Sequence, residues 1–526
     1  PYAADNGRIL DRNRFVMTNT IDLYANYNRK IGEDFELGAM VGHSFLKTKS
    51  RTSYIDAQNY PSPAFDVASV AANIVGASAG LSEYAIESYF ARLSLAYKDR
   101  YVVNATIRTD GSSRFAPDCR WGWFPSVSVG WNVSNESFWD AEKTELKIRA
   151  SYGRTGNQDG ISNYGWQALI SGGTNYGGQS GIAISSSGND RLTWETADQY
   201  NAGFDLSFLG GKINMIADVY LKNTNNLLYS KPVHATTGET SILSNIGSMR
   251  NKGVEFTINT HFNLGKVLWS SSLNIARNVN KLTALLEDDM LAIGSNRALK
   301  LGRTVGSWYI FRTDGIYQYD GEVPQALYDK GVRAGDVKYW DRNGDGDITD
   351  DDRIVTGNPN PKFSGGWNNT FKYKGLELSL FFTYSYGNDV YASWMIHGSK
   401  PGYTRSLLKA YADNRWTGPG TSDKYPRAIY SYSGWNGKNS TMYLTDGSFI
   451  RLRSVTLGYT FPQRLVSKIH LKGLRVYAQG DNVFLCSRYP GWDPETSVNL
   501  DPRFYGEDND GVPQPRIFKL GVNITF

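Results

Sequence analysis

The chain has 526 residues, with 56 Lys and Arg against 51 Asp and Glu for a formal charge of +5, 40% hydrophobic and 13% aromatic residues. So small a charge, with no basic block, offers nothing to nucleic acid, and the supply of aromatic and β-branched residues excludes a disordered chain. An apolar share below the usual ~45–50%, beside 54 glycines and 34 tyrosines, fits strands and turns and argues against a large helical core.

From the N-terminus onward, apolar and polar residues alternate with period two. The pattern occurs in segments 21–27, 35–41, 91–97, 101–107, 127–131, 146–152, 202–208 and 213–221. It continues in 254–258, 269–275, 367–373, 376–386, 455–461, 474–478 and 518–526, which predicts about fifteen strands. Leu376, Leu378, Leu380, Phe382, Tyr384 and Tyr386 form one face of such a strand, and Glu377, Ser379, Thr383 and Ser385 the other, with Phe381 out of pattern. Phe518, Leu520, Val522, Ile524 and Phe526 repeat the arrangement at the C-terminus, with Phe526 expected at the periplasmic edge. Each segment is near the ~9–11 residues that a tilted membrane strand needs.

A soluble β-sandwich also alternates along single strands, so the connections decide. Short turns such as 209–212 and 263–266 take turns with long polar loops at 282–362 and 388–445, the pattern of periplasmic turns and extracellular loops in outer-membrane barrels. The fold class is therefore all-β, a transmembrane antiparallel β-barrel. Counting back from a last strand that runs to the periplasm makes the first strand run the same way. An even-numbered barrel would then have further strands upstream. No run of 18 apolar residues predicts a transmembrane helix, and the opening residues do not read as a signal peptide, which leaves a processed, a truncated or a cytoplasmic chain.

Several segments occur in an order that resembles the SusC/RagA type of TonB-dependent outer-membrane transporters. They are Phe124-Pro-Ser-Val-Ser-Val-Gly-Trp131, Leu146-Lys-Ile-Arg-Ala-Ser-Tyr-Gly153 with Thr155-Gly-Asn-Gln158, and Asn251-Lys-Gly-Val-Glu255. Asp336-Val-Lys-Tyr339, Asp341-Arg-Asn-Gly-Asp-Gly346, Gly357-Asn-Pro-Asn-Pro-Lys362, Asp446-Gly-Ser-Phe-Ile-Arg-Leu-Arg453 and Leu457-Gly-Tyr459 follow. The resemblance implies a 22-stranded barrel of which this chain is the C-terminal portion, without the N-terminal plug domain and first strands. It further implies a Gram-negative outer membrane of Bacteroidetes type and import energised through TonB, by way of an N-terminal region absent from this chain. The nutrients would be oligosaccharides, or peptides in some members, with a SusD-like surface lipoprotein as a lid.

The residues read independently are compatible with this. Asp22, Asn104, Arg108, Lys147, Arg149, Asp205, Asp218, Lys222, Arg475 and Asp481 fall on the polar faces of the strands, a mixed-sign wall that suits hydrated ligands. Tyr391, Trp394, Tyr403, Trp416, Tyr430, Tyr432 and Trp435 stand in loop 388–445, and Tyr489 and Trp492 in the next. Partner contact or internal packing is their expected use, ahead of stacking on a ligand. Deleting much of 388–445 is expected to weaken pairing with the lid and spare the barrel. A passive porin, the alternative role, would have smaller loops. There is no GxxxxGK[ST], HExxH or GxSxG motif, so no enzyme is expected.

One constellation has ligand spacing. Asp341, Asn343, Asp345, Asp347, Thr349 and Asp352 occupy positions 1, 3, 5, 7, 9 and 12 of a twelve-residue stretch, with Gly346 at position 6, the spacing of an EF-hand calcium loop. Ca²⁺ in a structural role is the expected cofactor, with Ile348 anchoring the loop and Asp352 replacing the usual Glu. The five histidines are scattered, and Cys119 and Cys486 form no CxxC pair, so neither zinc nor a disulfide scaffold is indicated.

Overall fold

A computed structural model describes residues 7–234, 236, 238–239, 241–285, 289–401, 406–430 and 434–526. Strands hold 57% of the chain and helices 8%, and fifteen long strands follow in chain order in one antiparallel sheet. They are β1 (Arg8–Ile31), β2 (Phe35–Gln58), β3 (Asn73–Tyr97), β4 (Tyr101–Ser112), β5 (Trp121–Asn132), β6 (Thr144–Asn157), β7 (Glu195–Phe208) and β8 (Ile213–Asn225). β9 (Ser248–Leu264), β10 (Val267–Ala284), β11 (Phe363–Tyr373), β12 (Leu376–Tyr386), β13 (Phe449–Thr460), β14 (Gly473–Ser487) and β15 (Ile517–Thr525) complete the series. No helix among the described residues is long and apolar enough to cross a membrane.

The connections after odd-numbered strands are short: 32–34, 98–100, 209–212, 265–266 and 374–375, with 133–143 and 461–472 somewhat longer. Those after even-numbered strands include 158–194, 226–247, 285–362, 387–448 and 488–516. Antiparallel strands reverse at every connection, so the long loops belong to one set of strand ends and the turns to the other.

Contacts divide the chain into two compact units. The first comprises the chain up to Asn132 with Arg149–Tyr200 and Asn223–Ser248. Here the register turns alternation into faces, since residues opposite each other share a side of the sheet. Tyr27, Ala39, Leu93, Ala105 and Val127 align across β1–β5 as an apolar row. The next row holds Asn26, Met40, Arg92, Thr106 and Ser126. A small core of Phe115, Ile161, Leu192 and Trp194 from the connections gathers on Phe124 of β5. Gly122 and Gly156 are required there: a Cβ on either would come within 2.4 Å of the Phe124 ring. The segments around Phe124 and Thr155–Gln158 are thus packing partners.

The second unit comprises Val133–Ile148, Asn201–Lys222 and Met249–Phe526. Trp269, Phe371, Leu378, Leu457, Ala478 and Leu520 align across β10–β15. Lys372, Glu377, Gly458, Tyr477 and Gly521 stand one residue away, on the other face of β11–β15.

Candidate functional site

Polar wall residues pair with one another along the strands. Arg108 donates to Asp110 at 2.7 Å and to Ser88 at 2.9 Å. Arg475 reaches Glu377 at 3.0 Å, with Lys372 on the other Glu377 oxygen at 3.2 Å, and Lys519 reaches Asp481 at 2.6 Å. Asp22 accepts from Ser44, and Asn104 donates to Ser128 at 3.5 Å. Missed by the sequence reading, Arg154 grips Asp198 at 2.8 and 3.1 Å beside the Tyr152 hydroxyl. The wall is polar, with its charges paired to opposite ones along the strands.

At the long-loop end of the second unit, three loops fold together. In 285–362, Met290–Ile293, Arg297–Lys300, Trp308–Phe311 and Arg353–Thr356 form a small sheet. In 387–448, Asp389–Ala392 pairs with Leu444–Asp446 and, in parallel, with Glu507–Asp508 of the third loop. Trp308, Ile310, Val390, Tyr391, Met395, Tyr443 and Tyr489 meet in one core. Phe311, Ile316, Leu327, Val337, Tyr339 and Ile348 meet in another, against which Trp416 and Trp435 pack.

Most of the loop aromatics are therefore internal: Tyr391 is fully buried, and Trp394 Nε1 donates to the Tyr489 hydroxyl at 3.0 Å. Tyr430 and Trp492 are the exceptions, 84% and 80% exposed. Tyr403 and Tyr432 lie outside the described residues. Loop 388–445 is not a separable appendage, so deleting it would strip the first core and uncover the second; point changes at the two exposed rings test docking better.

Arg297 fastens the cap. Fully buried, it stacks 4.1 Å over the Trp308 ring, donates to the Gly306 carbonyl at 2.5 Å and reaches the Tyr505 carbonyl at 3.0 Å. Burial pulls its pKa down to about 10, partly opposed by Glu507, which leaves it cationic at neutral pH. Arg427 forms a second fastening, holding Asp336 at 2.9 and 3.0 Å.

Burial also raises the Asp389 carboxyl, helped by Asp446 and opposed by the Asn358 N–H. A carboxyl whose folded pKa is raised contributes stability below the unfolded value of about 3.9 and loses it as pH climbs through the folded value. Asp389→Asn keeps an oxygen for the Asn358 N–H. It is expected to slow protease cleavage in 387–448 at about pH 8 and to change nothing at about pH 3.5. Equal rates at the higher pH would contradict this.

Segment 341–352 curls on itself. Asp341 accepts from the N–H groups of Gly344 and Gly346 at 2.7 and 2.8 Å, Asn343 from Asp345, and Asp345 from Asp347. Gly344 and Gly346 have φ of 75° and 81°, conformations suited to glycine. Buried Asp352 accepts from Arg342 and Thr349 and completes a capping box with Thr349, while Asp347 pairs with Lys330. Ile348 is buried in the second loop core, as its position in the spacing anticipates. Among the described residues no group of three or more His, Cys, Asp or Glu is gathered for a metal. Each carboxylate oxygen keeps a further lone pair after accepting one N–H, and position 7 needs only its carbonyl. Hard oxygen donors with spare lone pairs are thus present along the turn, not gathered round one point.

A membrane-length antiparallel sheet, turns at one end and a folded cap of loops at the other define the protein as an outer-membrane β-barrel. The family described as TonB dependent receptor-like, beta-barrel matches residues 1–344, and the chain belongs to it. TonB-dependent receptor P26 of Formosa agariphila is 33% identical over 95% of this chain and 52% of its own. TonB-dependent receptor SusC of Bacteroides thetaiotaomicron is 30% identical over 84% of this chain and 43% of its own. A solved structure of the RagAB peptide transporter superposes with a TM-score of 0.85 at 22% identity, over 99% of this chain and 56% of that one. The chain spans about half the length of the curated relatives it matches. These relatives are receptors and transporters, not enzymes.

Proposed function

We propose that the protein imports large hydrated nutrients across the outer membrane, most simply oligosaccharides, energised through TonB and closed by a SusD-like surface lipoprotein. The observation that carries this is the cap: three loops that share cores at the long-loop end of the second unit, whose strands carry paired polar residues such as Arg475 with Glu377 and Lys519 with Asp481. A passive pore has no need of such a platform. The relationship to SusC supports the glycan reading. Peptide import is the alternative, favoured by the likeness in fold to the RagAB transporter. Uptake of labelled oligosaccharide and peptide by cells separates the two. Loss of uptake on collapsing the proton-motive force is expected, and uptake that survived it would mean a passive channel.

The lid is expected to use Tyr430 and Trp492, large rings with little other reason to face solvent. Changing both to Ser is expected to weaken co-purification of the lipoprotein about tenfold or more, with the barrel still heat-modifiable. Undiminished co-purification would put the docking surface elsewhere.

Ca²⁺ is proposed for 341–352, held by Asp341, Asn343, Asp345, Asp352, the Asp347 carbonyl and Thr349. The ion would supply positive charge that orders an acidic turn. The spacing, the two left-handed glycines and the Ile348 anchor support it. Calcium is expected to protect 285–362 from protease relative to chelator, and Asp341→Ala with Asp345→Ala to abolish the difference. Equal resistance in the unmutated protein would remove the metal from the account.

A further inference from the structure

At the loop end of β11–β14, the apolar face of the sheet opens into a cavity of about 870 Å³. Phe363, Tyr384, Tyr386, Ile450 and Cys486 line its floor. The register puts them on that face: Phe363 is opposite Tyr386, Tyr384 opposite Ile450, and Ile450 opposite Cys486. Two residues further along the strands the same face continues as Phe382, Leu452 and Phe484. Phe363 and Tyr386 stack with ring centres 4.9 Å apart. Tyr386 and Phe484 are nevertheless about half exposed, so no described part of the protein covers this apolar face.

Arg303, Lys362 and Arg488, all exposed, stand around the same cavity. Among the described residues Arg303 and Arg488 make no side-chain hydrogen bond or ion pair, and Lys362 has only a through-space attraction to Asp389. The more buried cations of this unit, Arg297, Arg427, Arg451 and Arg475, do find partners. Lys362 is held in place, because its stem lies against Gly387, where a Cβ would come within 2.8 Å. Asp389 and Asp446 line the cavity as well; Asp446 accepts from Ser448, and burial raises the Asp389 carboxyl, so the three cations outnumber the acids.

Unpartnered cations above an aromatic floor bind phosphate, and aromatic rings at this level of a barrel lie among lipid headgroups. A soluble phosphorylated solute would need the cations alone. The unbroken passage from the cavity onto an apolar strand face selects a ligand with acyl chains. We propose that this cavity binds the phosphorylated headgroup of an outer-leaflet lipid, its phosphates on Arg303, Lys362 and Arg488 and its chains along Phe382, Leu452 and Phe484.

The test uses the whole protein that carries these residues, delipidated in mild detergent. Native mass spectrometry reads its occupancy by lipid A, by lipid A stripped of its phosphates, and by lipid A in the presence of excess inorganic phosphate. Lipid A is expected to bind at least about tenfold more tightly than the stripped form, and free phosphate not to displace it. Changing Arg303, Lys362 and Arg488 together to Gln is expected to lower occupancy about tenfold or more, with heat-modifiability unchanged. Equal binding of the two lipid forms overturns the proposal, as does full occupancy in a folded triple variant. Displacement by inorganic phosphate would overturn the lipid source in favour of a soluble anion. Should the triple variant fail to assemble, the comparison of the two lipid forms on the unmutated protein still decides.

Discussion

Arg297→Ala is expected to release the loop cap from itself while leaving the barrel folded. The change removes a stacked guanidinium from the Trp308 face and leaves the Gly306 and Tyr505 carbonyls without their donor in a buried place. Lost packing and stranded acceptors together cost about 3–5 kcal/mol. Local opening is measured by protease cleavage, which tracks the open population when reclosing is fast, so cleavage in 285–362 and 488–516 should rise about a hundredfold or more. Arg297→Met restores some packing without the hydrogen bonds, and its effect should be intermediate. A cap equally resistant in all three proteins would show that the loops hold together without this residue.

The second large effect is expected at Arg451 on β13. Its side chain is 3% exposed and that of Asp493 5%, with 2.5 Å between Nη2 and the carboxylate; Glu495 lies 2.8 Å from Nε and also holds Arg453 at 2.7 Å. Arg451→Ala strands Asp493 in a buried site, a loss of about 3–5 kcal/mol. Replacing both, Arg451→Met with Asp493→Asn, removes the charges together and should recover most of it, since a buried ion pair barely repays its desolvation. The expected readout is loosening of 488–516 to protease in the single variant and near-normal resistance in the double. A double variant as damaged as the single would mean that the pair is worth more than its desolvation.

The strands were legible because their signal is local. Period two needs only a few residues to show which face meets lipid, and each of the fifteen segments falls on one of the fifteen strands, apart from the end residues Phe461 and Phe526. Their lengths were not legible. β1 runs from Arg8 to Ile31, yet alternation marks only 21–27, because Arg12, Asn13 and Arg14 continue the strand where no lipid face demands apolar residues. The cap was hidden for a different reason. Tyr391 pairs with Glu507 across more than a hundred residues, in strands two to four residues long, and so short a run carries no period. Of the two uses expected for Tyr391, partner contact and internal packing, the structure shows the second. Arg297 could not be found at all from sequence, since arginine is rarely buried unless paired, and its acid, Glu507 at 3.8 Å, and the Tyr505 carbonyl lie more than two hundred residues away. The spacing of 341–352 did give away the local turn, because the hydrogen bonds that close it run between its own residues.

The shared cores of the cap bear on how such a protein can diversify. Trp308, Tyr391, Tyr443 and Tyr489 come from three connections that are distant in the gene yet abut in space. A change of shape in one connection is felt by the other two, so variants that retain a folded cap should carry compensating substitutions in the neighbouring loops. Transplanting 387–448 alone from a relative should expose apolar surface, whereas moving 285–362, 387–448 and 488–516 as a set should not. For anyone re-engineering what this protein admits, the smallest exchangeable part is a trio of loops.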